Sequence, residues 1–195
     1  KTGLPVYNEF NLCAMPEDRL FIHGIWQEGL IPHTGISTDD ELQIKSFLQL
    51  VAQYRNTKDA DGNDIFALPL DRSSKGNEWT GLDAITFEKY LSGKGYTSKY
   101  LLWYLNYCCR DDYGTTLQNT SAWAGLHYFA SRKGKAANAG YDDVLTWPEG
   151  NGFLARHLKK SISPTSIYTN SVIYSISINQ DNKAEVLYYN TTTQK

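Results

Sequence analysis

The hexapeptide Gly150-Asn151-Gly152-Phe153-Leu154-Ala155 has the glycine spacing of a dinucleotide fingerprint and opens a helical stretch. In that chemistry the first glycine follows directly on a buried strand, and a pyrophosphate sits on the amides of the helix N-terminus. Here Trp147-Pro148-Glu149 comes first. Proline breaks a central strand, and Glu149 puts negative charge where phosphates would lie. The acidic ribose ligand expected about 20 residues on would fall near Val172, within the uncharged run Asn170 to Tyr174. The segment therefore reads as a tight turn feeding a helix.

The other candidates divide in the same way. Asp59-Ala60-Asp61-Gly62-Asn63-Asp64 resembles a calcium loop, but Gly62 comes two positions early and Leu70 stands where the bidentate Glu belongs. A solvated turn fits better. His23, His33, His127 and His157 lack close metal-ligand spacing, and there is no GxSxG or SxxK. Cys13, Cys108 and Cys109 form neither a disulfide framework nor a zinc pattern and read as small packing residues. Arg110-Asp111-Asp112 is either a polar functional cluster or a solvated helix end.

The elements that would position these residues follow from periodicity and punctuation. Arg19 to Pro32 reads as a hairpin around Gly24. Ser37 or Thr38 caps a helix to about Asn56, with an acidic first turn and Leu42, Phe47, Leu48, Val51 and Tyr54 as its apolar face. Asp64 to Leu70 is expected to be a short strand and Asp71 to Gly81 a surface loop. Three helices follow: Thr86 to Ser92; from Thr97 or Ser98 to Tyr113; and Thr120 to Arg132. In the last of these Ala122, Ala124, Gly125 and Ala130 permit close approach. A turn at Trp147 to Gly152 leads to a helix ending near Ser161. Strands over Ile167–Ile178 and Ala184–Tyr189 close the sequence. The fold class is α+β: a helical domain with an N-terminal hairpin and a C-terminal β-hairpin, lacking a Rossmann part. The expected division is 1–146 and 147–195.

Bulk properties exclude some functions. A net charge of -2 gives no electrostatic footprint for nucleic acid, and no apolar run approaches the roughly 20 residues of a membrane span. With 14 Tyr and 5 Trp, the aromatic content serves either a core or an amphipathic groove. The chain begins Lys1-Thr2-Gly3 without Met, and is expected to be a trimmed piece whose parent's targeting is open.

Five blocks carry a family resemblance: Gly24 to Pro32 (GIWQEGLIP), Leu82 to Phe87 through Tyr90-Leu91, Trp103 to Thr115, Ser121 to Arg132 (SAWAGLHYFASR), and Leu145 to Gly152 (LTWPEGNG). In this order they resemble the middle of bacterial FAD-dependent oxidoreductases of the flavin amine oxidase and phytoene desaturase group. The resemblance implies a substrate domain inserted into a discontinuous FAD domain, with FAD bound by the whole parent and not by this chain alone. It implies that Trp147 and Trp123 are apolar cavity walls and that Glu149, Asn151 and Arg110 are polar handles for a small-molecule substrate. It also implies that Ile173, on the return strand, meets the adenine through its backbone. The compartment would be bacterial cytoplasm or periplasm. Two other readings need no flavin: an aromatic-rich binding module for sugar or peptide, and an architectural domain that docks a partner through an apolar face. Substrate, electron acceptor and oligomeric state are not legible.

Overall fold

The computed structural model describes residues 3–13, 18–140 and 143–195. They form six α-helices and three two-stranded sheets, an α+β arrangement. The described residues divide into two units. The first takes in the chain up to Tyr7 and Cys13–Val144; the second is Asn8–Leu12 with Leu145–Lys195. Two of the three divisions fall within the two-residue strands β1 (Leu12–Cys13) and β4 (Val144–Leu145), and the third lies between Tyr7 and Asn8. Among the described residues no helix is long and apolar enough to cross a membrane.

In the first unit, β2 (Arg19–Ile22) and β3 (Ile25–Glu28) pair antiparallel, with Ile22 opposite Ile25. The two connecting residues, His23 and Gly24, both have positive φ (52° and 81°). That is the type I′ geometry matching the twist of adjoining strands, and it explains a glycine there.

Helix α1 (Thr38–Asn56) begins in a capping box. Ser37 Oγ accepts from the Asp40 amide at 3.2 Å, and the Asp40 carboxylate accepts from the Ser37 amide at 3.2 Å. Its buried face is Ile44, Phe47 and Val51; Leu42 and Leu48 are exposed, unlike the stripe expected from the sequence. Leu48 borders the buried stripe, which continues through Tyr54, whereas Leu42 lies on nearly the opposite side of the helix.

The apolar run Ile65-Phe66-Ala67 does not form the expected strand. Its backbone bonds locally: the Ala67 amide donates to Ser73 Oγ at 2.9 Å, and the Ser74 amide donates to the Asp64 carbonyl at 2.9 Å. Pro69 has no N–H to extend a ladder. Ile65 and Phe66 instead belong to the buried core. The expected surface loop at Asp71 to Gly81 instead contains α2 (Asn77–Thr80) and the buried Ser73 and Ser74. Its polar composition misleads because those hydroxyls hold neighbouring backbone, Ser74 Oγ accepting from the Gly76 amide at 3.1 Å.

Helices α3 (Phe87–Gly93), α4 (Lys99–Tyr113) and α5 (Ala122–Ala130) are capped by Thr86, Ser98 and Ser121, each accepting the amide three residues on. Gly114, with φ 63°, ends α4 in the left-handed conformation. Phe47, Phe87, Leu91, Leu101, Leu105 and Leu126 fill the centre, fully or almost fully buried. Burying each such side chain is worth about 1.5–3 kcal/mol. Phe47 meets Phe129 and Tyr96 edge-on at 5.4 and 5.8 Å, and Phe66 meets Trp79 and Trp123 in the same way at 6.3 and 5.6 Å. Much of the aromatic surplus is therefore core.

The second unit carries α6 (Gly152–Lys159) and a hairpin of β5 (Ser171–Ile178) with β6 (Ala184–Asn190). The strand begins at Ser171, not Ile167, because Asn170 turns the chain with φ 56°. The Asn179 side chain closes the hairpin by accepting the amides of Asp181 and Lys183, both at 3.0 Å. Asp59 does the same for Asp61 and Asn63 in the first unit, at 3.0 and 2.8 Å. The Asp59 carboxylate of the calcium-like loop thus serves its own turn. None of the described residues of the second unit is buried.

Candidate functional site

Helix α4 presents two cavities in the first unit. One, of about 530 Å³, is lined by Tyr104, Tyr107, Cys108 and Asp111 of α4, by Tyr128 of α5, and by Asp18 and the Glu28–His33 stretch. The other, of about 500 Å³, is lined by Trp103, Asn106, Tyr107, Arg110 and Asp111. Tyr107 and Asp111 belong to both. Spacings of three and four residues along α4 put these side chains on adjoining stripes.

The surroundings hold α4 at its start. Gln43 Oε1 accepts the amides of Thr97 and Ser98 at 2.7 and 2.8 Å, and Ser98 Oγ donates to the Asp40 carboxylate at 2.6 Å. His23 Nε2 and Tyr100 Oη lie 2.9 Å apart, tying the β2–β3 turn to the same helix. The opposite rim depends on Gln27, a buried amide that makes four bonds. Its Nε2 donates to the carbonyls of Gly29 (3.2 Å) and Ile31 (2.8 Å), and its Oε1 accepts the amides of His33 (3.0 Å) and Thr34 (3.2 Å). Sequence reasoning missed Gln27; the available signal was a polar residue on the hairpin's inward register.

Protonation states limit the chemistry. Burial pushes the Cys108 thiol up to about 11 and the Tyr128 phenol up to about 12, and pushes Tyr104 up as well. At neutral pH these groups stay protonated, so the thiol is not an activated nucleophile. Asp18, Glu28 and Asp111 have no ion-pair partner among the described residues. The larger cavity is therefore acidic and aromatic. The arrangement can bind and orient a ligand, and it contains no nucleophile paired with a base.

The residues named from sequence fall in separate places. Arg110 lines the second cavity, whereas Asp112 leaves the presumed cluster to pair with Arg132 at 3.0 Å. Trp123 is half-buried, stacked on His127 at 4.7 Å, and its indole N–H has no partner among the described residues. His127 Nε2 lies 2.8 Å from the Ala67 carbonyl, a structural role. In the second unit, Trp147 stacks on Phe153 at 5.3 Å, Glu149 pairs with Arg156 at 3.1 Å, and Asn151 precedes α6 without a side-chain cap bond. Ile173 is exposed on β5 opposite Tyr188.

The residues present do not fit the pyrophosphate of FAD. The Gly150 amide donates to the Trp147 carbonyl at 2.8 Å and the Phe153 amide to the Gly150 carbonyl at 3.1 Å, so the turn consumes amides a phosphate would need. Gly150, with φ 63°, turns the chain, and Trp147-Pro148-Glu149 before it is not a strand. No family model matches this chain, and no curated protein or solved structure is detectably similar to it.

Proposed function

We propose that this chain is the substrate-facing part of an FAD-dependent oxidoreductase of the flavin amine oxidase type, completed by an FAD-binding body outside it. The observation that carries the reading is the uncovered β5–β6 hairpin. Register places Ile173 with Tyr188, Ile176 with Val186 and Ile178 with Ala184. The irregularity between Ile173 and Ser175 keeps all three pairs on one face despite the uneven spacing. Beyond the Ser171–Asn190 pair at its open end, that face is apolar and exposed, Ile178 by 76% and Ile176 by 68%. A hairpin alone is marginal in water and needs a surface to cover it. It lies in the stretch whose sequence resembles the return towards an FAD domain.

In this reading the cavities along α4 bind and orient a small substrate, and the chain contributes no acid, base or nucleophile. The flavin would supply the hydride acceptor and is held by other segments.

Two measurements test it. The chain alone should purify colourless, and titration with FAD should leave flavin fluorescence and melting temperature unchanged. The natural protein containing this chain should carry flavin and lose most of it on Val186→Asp. A natural protein without flavin, or one whose flavin content ignores Val186→Asp, would refute the proposal.

A further inference from the structure

We propose that the α4 face bearing Trp103 and Tyr107 is a binding site for a neutral pyranoside. These residues are one helical turn apart, and their rings stack 6.1 Å apart at an interplanar angle of 21°. Both stay exposed, by 44% and 39%, while Leu101, Leu105, Cys108 and Cys109 of the same helix fill the core. Neither ring is required for burial, so the pair forms an aromatic platform facing the 500 Å³ cavity, a volume within the usual range for ligand sites.

The polar groups around the platform suit a sugar. Asn106 spends its Oδ1 on the Leu117 amide at 3.1 Å, which leaves its Nδ2 hydrogens for a ligand. Arg110 adds donors and Asp111 an acceptor, and neither has an ion-pair partner among the described residues. Their charges cancel, which disfavours a charged ligand and suits vicinal hydroxyls, each both donor and acceptor. A pyranose presents an apolar C–H face to the rings and an equatorial rim of hydroxyls to the polar groups. A peptide is the weaker match. The backbone groups in the middle of α4 are spent within the helix, so the face offers nothing for a peptide main chain to pair with.

The inference names a ligand class for one of the two cavities that the flavin reading gives to its substrate, and its test needs no flavin. The test titrates the full chain with cellobiose, maltose, lactose and chitobiose by calorimetry and by saturation-transfer NMR. At least one should bind with an affinity on the order of millimolar. Trp103→Ala should weaken that binding about tenfold or more with an unchanged melting temperature, and Trp103→Phe should restore part of it. The assignment is overturned if none of the four sugars binds, or if Trp103→Ala binds undiminished. A tyrosine-rich peptide that occupies this face while no saccharide does would also overturn it.

Discussion

Replacing Gly125 with Ala separates two opposed effects. In an exposed helix the change would stabilise by about 1 kcal/mol, because glycine loses more backbone entropy. At Gly125, however, an added Cβ would lie 2.3 Å from Phe87 Cδ1 and 2.6 Å from both Cγ and Cε1. Ordinary carbon contacts are about 3.5–4.0 Å, so the ring would have to retreat by more than about 1 Å. Phe87 is fully buried, with Phe47 and Tyr90 beside it at 6.4 and 6.5 Å between ring centres, and has nowhere to go. Overpacking of this kind costs about 1–3 kcal/mol, and this site belongs at the upper end. Set against the gain in helix propensity, the net loss is about 2 kcal/mol. For a chain of this size that lowers the melting temperature by about 4–8 °C, readable by circular dichroism or calorimetry. Phe87→Leu in the same molecule should relieve the clash, so the double variant loses less than the two single losses added. A rise in melting temperature for Gly125→Ala would show that α3 and α5 do not approach as described.

Two further outcomes are expected. The Asp40 carboxyl is held below the ordinary carboxylate range by hydrogen bonds from Ser37 and then Ser98; its contribution is present above the unfolded-state value and is lost as pH falls through the folded one. Melting temperature should therefore fall less between about pH 7 and pH 3 in Asp40→Asn than in the unchanged chain, and parallel curves would refute this role. Of the three thiols only Cys13 is exposed, so a disulfide reagent at about pH 8 should titrate one thiol quickly in the native protein and all three in denaturant. Rapid native reaction of Cys108 would mean that its thiol is reached through the larger cavity, against its burial.

What was legible in the sequence was whatever local chemistry decides. Ser37 and Ser98, each one of two candidates in the sequence, cap helices because a side-chain oxygen three residues before an unpaired amide is a short-range event. The helices expected from Thr86 and Thr120 start one and two residues later, capped by Thr86 and Ser121. The hairpin at His23-Gly24, the end of α4 at Gly114 and the close approach at Gly125 could be read for similar reasons. The failures arose where tertiary contacts prevail. Ile65-Phe66-Ala67 has strand composition, yet its fate is decided by Ser73, Asp64 and His127, none of them a strand partner. Ser73 and Ser74 look like loop residues and are buried, because hydroxyls that satisfy neighbouring backbone can be buried at little cost.

The candidate site was harder to see, because it is assembled across long separations. Its walls come from Glu28–His33, from α4 and from Tyr128, and no spacing rule joins them. What joins them is a set of side chains that line neither cavity. Gln27 folds the rim segment by satisfying it, Asp40 and Gln43 hold the first turn of α4, and His23 reaches Tyr100 from the hairpin turn. Each was visible as an ordinary polar residue, and its task follows only from the geometry. The hairpin of the second unit has the opposite character. Its pattern was readable because alternation is local, but the purpose of its apolar face depends on a surface that would cover Ile173, Ile176 and Ile178. A cavity framed by buried polar bonds can be tested on this chain alone, whereas an uncovered sheet face has to be tested together with whatever covers it. The two experiments therefore probe different molecules, and the failure of either leaves the other intact.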